Sequence, residues 1–176
     1  DLGAALRHED NRLWTMRNGY ALCTESGLVS IARTLEAMSV AEQGSLRGRL
    51  RVGLHWDVEV TGPIASGLLV SQVFCSALPV AYTPIPSAQW RAFATLVLEA
   101  AYEATLWAAV LNAHRTSSNV VYLTRVGGGA FGNGTAWIDG AIRRALTMVA
   151  GVGLDVRLVS YGQPDRELLR LVGEFR

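Results

Sequence analysis

Residues 120–133 read VVYLTRVGGGAFGN, and the rest of the chain is best interpreted from this stretch. A β-branched apolar run ends at Val126, four glycines follow within residues 127–132, and a helical pattern covers residues 135–149. Glycines let a ligand approach the backbone, and a helix N-terminus offers free N–H groups and a positive dipole end. The order strand, glycine loop, helix therefore predicts a phosphate or pyrophosphate pocket. Its expected ligand-binding residues are Gly127, Gly128, Gly129, Ala130, Phe131, Gly132 and Asn133.

Two features of this loop leave alternatives open. Phe131 either tucks under the glycines or packs on a sugar or base ring. The loop also matches the dinucleotide pattern G-x-G-x-x-G, with Asp155 about 20 residues further on. However, a dinucleotide fingerprint opens its domain, whereas only 44 residues follow Gly132. A nucleotide-dependent oxidoreductase is therefore the least favoured interpretation.

Composition restricts the class of protein. The 176 residues suit one domain spanning 1–176, and a net charge of +1 argues against a nucleic-acid surface. All 16 basic residues are arginines, so no Schiff-base or P-loop lysine is available. The two cysteines do not indicate a disulfide framework, the three histidines lack zinc-ligand spacing, and no apolar run reaches membrane-span length. We expect an intracellular protein without metal or cofactor, in a host cytosol if it is a secreted effector.

The order of predicted elements indicates an α/β fold. Helices are predicted at residues 28–38, 68–76, 88–113, 135–149 and 166–172, strands at 19–24, 50–60, 120–126 and 154–161, and a loop at 41–48. Such alternation is typical of helices on both faces of a mostly parallel sheet. The chain begins at Asp1 rather than Met, without a signal peptide, so we expect a trimmed segment of a longer protein.

A second group of polar residues ends the strand at 50–60, in the sequence His55-Trp-Asp-Val-Glu59. Alternation in a strand would place His55, Asp57 and Glu59 on one face and Trp56 on the other. Two neighbouring carboxylates can divide into an acid and a base, which suits hydrolysis of a glycosidic bond. Asp57 and Glu59 are therefore the candidate catalytic pair, although a solvated strand edge, or a divalent-ion site, is also open. If the strands at 50–60 and 120–126 run parallel, the two loops face one cleft.

Three further positions are secondary candidates. Gln72, on the predicted helix after the first loop, could reach the ligand. Glu99 and Glu103 share a face of the long helix, where a packing or polar-face role is favoured.

Residues 120–133 resemble the phosphate-binding loop of macrodomains and poly(ADP-ribose) glycohydrolases, in which an apolar strand leads into a Gly-x-Gly-x-Phe/Tyr-Gly turn. The stretch 54–82 is similar to the other ligand loop of the glycohydrolase branch. The likeness extends over residues 49–162, and it is nearest to a divergent, MavL-like branch of ADP-ribosyl hydrolases. It implies a three-layer α/β/α fold with a mixed, mostly parallel sheet, and ADP-ribose with its diphosphate on the glycine loop and its anomeric carbon near residues 57–67.

The resemblance also shapes the expected activity. That branch removes ADP-ribose from arginine, including on ubiquitin, so an ADP-ribosylarginine-type hydrolase is the leading hypothesis and a non-catalytic ADP-ribose reader is the alternative. The expected partners are ADP-ribose and ADP-ribosylated protein, with neither nucleic acid nor membrane. The Asn-Ala-Ala-Asn loop of macrodomains and the Gln-Glu-Glu acid of glycohydrolases are absent, because Val73 and Phe74 follow Gln72. The poly(ADP-ribose)-cleaving mechanism is therefore not carried over.

Overall fold

The computed structural model describes residues 1–62, 67–116 and 118–175, which form six α-helices and six short strands. The helices are α1 (Leu2–Ala5), α2 (Glu25–Ala37), α3 (Val40–Arg47), α4 (Ser87–Thr116), α5 (Thr135–Met148) and α6 (Arg166–Glu174). The strands are β1 (Trp14–Arg17), β2 (Tyr20–Cys23), β3 (Gly53–Glu59), β4 (Leu69–Phe74), β5 (Val120–Thr124) and β6 (Asp155–Val159). A short 3₁₀ turn occupies Val80–Tyr82.

The 30-residue helix α4 forms the centre of the core. Its first half packs Trp90 and Phe93 into a cluster with Leu28 and Ile31 of α2. Its second half carries Leu98 and Leu106 into another cluster, shared with α5, α6 and the inner faces of β5 and β6. In the part of the chain that is described, α4 is the one helix long and apolar enough to span a bilayer, yet over half of its most apolar window is buried. The structure is thus compatible with a soluble protein in which α4 is a core helix.

The strands pair as three separate two-stranded sheets. β1 pairs with β2 and β3 with β4, both antiparallel, whereas β5 and β6 are parallel. The α/β class is confirmed, but the expected mostly parallel sheet is wrong for the described residues, because a hairpin joins β3 to β4.

The helical layer lies on one face of these strands. Leu123 of β5 is buried, whereas Tyr122 on the opposite face is 64 % exposed. Phe74 of β4 and Val159 of β6 are likewise exposed. Among the described residues, no helix therefore covers this outer face of β4 to β6.

Most predicted elements are confirmed, and two are wrong. The predicted helix at 68–76 is strand β4, whose Val70 and Val73 pair with β3; β-branched residues and strand pairing outweigh the helical apolar spacing. The predicted loop at 41–48 is helix α3. The signal that identifies it is a capping box in which Ser39 and Glu42 bond each other's backbone N–H groups.

Candidate functional site

The directions of β4 and β5 decide where the loops meet. At the start of β4, the Ser71 hydroxyl donates to Asn112 Oδ1 at 2.7 Å, near the end of α4. After β4, Ala77 contacts Gly127, which follows β5. Tyr102 lies at the middle of α4. Its hydroxyl donates to the Thr124 carbonyl at 2.6 Å and accepts from the Val126 N–H at 2.8 Å. Both strands therefore run from the end of α4 towards its middle, and their carboxyl ends share one edge, where α/β proteins place ligands.

The glycine loop is closed against the segment after β4. Gly127 and Gly132 have φ values of +80° and +70°, and the Asn133 N–H donates to the Gly127 carbonyl at 3.0 Å. A Cβ at Gly127 would lie 2.3 Å from the Cβ of Ala77, and one at Gly132 would lie 2.8 Å from that of Ala81. These two glycines are required by the protein's own packing as well as by the left-handed backbone.

The apex of the same loop is open. Gly128, Gly129 and Ala130 are exposed, and a Cβ at Gly129 would meet nothing within 4 Å. Within the described ranges, the N–H groups of Gly129, Ala130 and Phe131 donate to no protein acceptor. Because α5 begins directly after the loop, its N-terminus adds partial positive charge. This arrangement can bind an anion.

Asn133 connects the two loops. The side chain is buried, and its amide nitrogen donates to the Leu78 carbonyl at 2.8 Å and to the Gly127 carbonyl at 3.3 Å. We expected this amide to bond a ligand, whereas its nitrogen is used to hold the loop after β4 to the loop after β5.

An aromatic cluster lies beside the loop. The rings of Tyr20, Tyr82 and Phe131 meet edge to face, with centroids 5.3 to 5.6 Å apart. Tyr82 is 47 % exposed and Phe131 is half-buried. Phe131 packs against Tyr20, Tyr82 and the core, as the first alternative expected of a tucked side chain, and packing on a sugar or base ring stays a prediction. Tyr20 and Tyr82 were not predicted, since they come from β2 and the 3₁₀ turn and only the tertiary fold brings them together.

Arg125 holds the base of the loop in place. Its guanidinium contacts Asp139 of α5 through two hydrogen bonds of 2.9 and 2.8 Å and also pairs with Asp165, the N-cap of α6. The hydrogen bond from Arg125 lowers the pKa of Asp165, and bonds from backbone N–H groups lower it further. Two carboxylates therefore neutralise Arg125, which is a structural cation rather than a phosphate ligand.

Asp57 lies in a β-bulge of β3, opposite the N-terminal half of β4 and away from the glycine loop. His55 pairs with Gln72 and Val58 with Val70, so Trp56 and Asp57 together oppose Ser71. Asp57 has a φ of +54°, and its carboxylate accepts from Arg115 at 2.8 Å. The Arg115 guanidinium also covers the Trp56 ring at 4.7 Å. The bulge breaks simple alternation, so the expectation that Trp56 and Asp57 lie on opposite faces is wrong.

The structure does not bring Asp57 to the glycine loop. Arg115, which binds Asp57, and Tyr102, which binds the strand just before Gly127, are thirteen residues apart on α4. Their Cα atoms are thus separated by about 20 Å at 1.5 Å per residue. Asp57 and the described residues of β3 therefore lie away from the glycine loop, because β3 runs antiparallel to β4.

The remaining predicted residues lie near Asp57 or in the core. Glu59 is exposed and pairs with Leu69 at the start of β4, and Gln72 lies on the sheet face opposite Ser71. Residues 63–66 of the predicted ligand loop lie outside the described residues. Glu99 pairs with Arg47 at 2.9 Å and Glu103 with Arg144 at 2.6 Å, which confirms a packing role for both.

A slot of about 710 Å³ connects the two ends. β4 and β5 form its walls, and α4 forms its floor through small residues such as Ala101, Ala108 and Ala109. It extends from Asp57 to Val126, and no His, Cys, Asp or Glu cluster of metal-binding size occurs among the described residues.

Comparisons with protein-family models, characterised proteins and solved structures give no match to this chain.

Proposed function

We propose that this chain is a macrodomain-like module that binds ADP-ribose through the glycine loop. One observation carries the proposal: the loop's free N–H groups and the start of α5 lie at the shared carboxyl edge of β4 and β5, beside an exposed aromatic cluster. The amides suit a diphosphate, and the Tyr82 and Phe131 rings suit a ribose or adenine.

The choice of ADP-ribose among nucleoside diphosphates rests on the likeness of residues 120–133 to the macrodomain loop. The likeness also implies a three-layer α/β/α arrangement. That arrangement would require a further layer over the exposed outer face of β4 to β6, where the described residues place no helix. The free N–H groups of Gly129, Ala130 and Phe131 bind the diphosphate, beside the exposed Gly128, and the Phe131 ring contacts the distal ribose. Gly127, Gly132 and Asn133 shape the loop from beneath.

Hydrolysis of ADP-ribose linked to arginine, on a protein such as ubiquitin, is the second candidate function. The observation that favours it is the left-handed backbone of Asp57 in a bulge, because non-glycine residues with positive φ and β-bulges occur often at functional sites. Here one carboxyl group of Asp57 and Glu59 would orient or activate water, and the other would interact with the distal ribose hydroxyls or assist the leaving guanidine. This activity requires the anomeric carbon to reach the Asp57 end of the slot. The reader function does not require it, so binding is the primary proposal.

Calorimetric titration with ADP-ribose, with NAD as competitor, tests the binding proposal. We expect ADP-ribose to bind more tightly than NAD, and Gly129→Val to weaken binding at least tenfold, because its side chain would occupy the open space over the loop apex. Gly44→Val in α3 is the matched control, since a Cβ there also meets nothing within 4 Å.

Three results would contradict the proposal. Preference for NAD would favour a dinucleotide site, absence of ADP-ribose binding would leave the glycine loop a structural turn, and equal loss in both variants would show a general effect on folding. If binding is found, release of ADP-ribose from arginine-modified ubiquitin separates hydrolase from reader.

A further inference from the structure

The slot between β4 and β5 is bounded by two unused strand edges. β4 is hydrogen-bonded to β3 alone and β5 to β6 alone among the strands of the described residues. At the glycine-loop end, the Tyr102 hydroxyl satisfies the Thr124 carbonyl and the Val126 N–H, as a neighbouring backbone would. Along Leu69–Phe74 and the first residues of β5, nothing in the described parts of the chain plays that role.

Both strands line the slot along their length. Four of the six β4 residues and every residue of β5 line it, whereas β3 contributes Trp56 and Asp57 and β6 contributes Arg157. Because β4 and β5 run in the same direction, a single extended segment between them could bond both edges and continue both sheets. Unpaired edges of this kind are the template on which proteins capture strands.

The lining identifies the chemistry of the occupant. Asp57 and Arg157 are its charged residues, and each is already paired, with Arg115 and Asp155 respectively. The floor consists of small side chains of α4 such as Ala101 and Ala109, which leave room for larger apolar groups. On the outer face, Phe74 and Tyr122 stand exposed on either side. A neutral wall with backbone donors and acceptors fits an extended apolar peptide, and it does not fit the charges of a nucleoside diphosphate.

We infer that the slot is a strand-binding site, which takes an extended segment of a partner protein with apolar side chains at alternate positions. The bound strand places one set of side chains on the α4 floor and the other between Phe74 and Tyr122. It joins the sheets of β3–β4 and β5–β6 into one five-stranded sheet. The proposed diphosphate site lies outside the slot, beyond the carboxyl ends of the same strands. Asp57 lines the slot, so a bound strand would compete with the hydrolase candidate, but not with the primary binding proposal, for that end.

A selection of displayed random octapeptides against the chain tests the inference. Ala109→Phe fills the floor of the slot, and Ala104→Phe, on α4 but outside the slot, is its matched control. We expect enriched peptides with alternating apolar residues that bind the wild type and Ala104→Phe equally and bind Ala109→Phe at least tenfold more weakly. Failure to enrich such peptides, or equal binding to all three proteins, would overturn the inference.

Amide hydrogen exchange of the wild type gives a second readout that needs no variant. An enriched peptide is expected to slow exchange in both β4 and β5 at least tenfold, and the same peptide N-methylated at alternate backbone nitrogens is expected to slow neither. Protection confined to β3 or β6, or protection of β4 and β5 by ADP-ribose instead, would contradict it. ADP-ribose titration of the same sample reports on the glycine loop separately.

Discussion

The glycine-loop end of the slot is closed by glycines packed tightly against alanine side chains, whereas the Asp57 end is held by exposed charged side chains. Gly127 and Gly132 approach Ala77 and Ala81 so closely that no side chain fits between them. Asp57 and Arg115 are both more than 40 % exposed. A preformed backbone loop binds without reorganisation, while an exposed ion pair can exchange its partner. The glycine-loop end is therefore expected to be rigid and the Asp57 end to be adaptable.

The largest effect is expected from Gly127→Ala, which should destabilise the fold without any ligand. The new Cβ would overlap the Ala77 side chain, and the alanine would have to adopt a positive φ. Together these effects should lower the free energy of unfolding by about 3 kcal/mol. Thermal unfolding should occur about 10 °C lower. Gly129→Ala is the control, with an expected change below about 0.5 kcal/mol. Equal stability of the two variants would show that the loop is not closed against Ala77.

Tyr102→Phe should reduce stability next, because it leaves the Thr124 carbonyl and the Val126 N–H without a partner. The expected loss is about 1–3 kcal/mol in denaturant unfolding. Burial raises the pKa of Tyr102 above its usual value of 10.0, so the folded state favours the neutral phenol. That contribution is present below pH 10 and is lost above it as the unfolded tyrosine ionises. The stability of the wild type should therefore fall more steeply above pH 10 than that of Tyr102→Phe, and parallel curves would contradict this.

Tyr82→Ala should weaken ADP-ribose binding about tenfold, or about 1.4 kcal/mol, since it removes the exposed ring beside the loop. Binding of pyrophosphate alone, measured by calorimetry, should change much less. Tyr161→Ala serves as the control because that side chain is fully exposed. If pyrophosphate binding falls equally, the aromatic cluster supports the loop instead of contacting a ring of the ligand.

Asp57→Asn should have the smallest effect on stability and binding. The ion pair with Arg115 is exposed, so its loss should cost less than about 1 kcal/mol. ADP-ribose affinity should stay within twofold because the loop apex is distant. A tenfold loss of affinity would show instead that Asp57 and the glycine loop belong to one binding site. If arginine-linked ADP-ribose is hydrolysed, the same variant should abolish its release.

The sequence predicts the second half of the molecule well. The order β5, glycine loop, α5, β6 and α6 follows from β-branched runs, glycines and amphipathic spacing, all of which are local signals. The first half depends on pairing. The apolar spacing of β4 also fits a short buried helix, although its β-branched residues favour a strand, and only its register with β3 shows that the chain reverses direction.

The same limit applies to the site. The glycine loop could be located from composition, but the meeting of Tyr20, Tyr82 and Phe131 depends on three distant elements. The position of Asp57 could not be predicted because a single bulge changes which side chains share a face, and because the strand direction decides which loops meet. Residues 120–133 therefore identify a loop, and the tertiary fold determines its neighbours.

The central position of α4 has a consequence for how the protein is made. Synthesis proceeds from the N-terminus, so α4 is complete before α5, β5, β6 and α6 exist to cover its second half. Its apolar residues from Leu98 to Val110 are then exposed on the nascent chain, at a length and hydropathy that also suit a bilayer. The last third of the chain must therefore fold onto α4 before these apolar residues are buried.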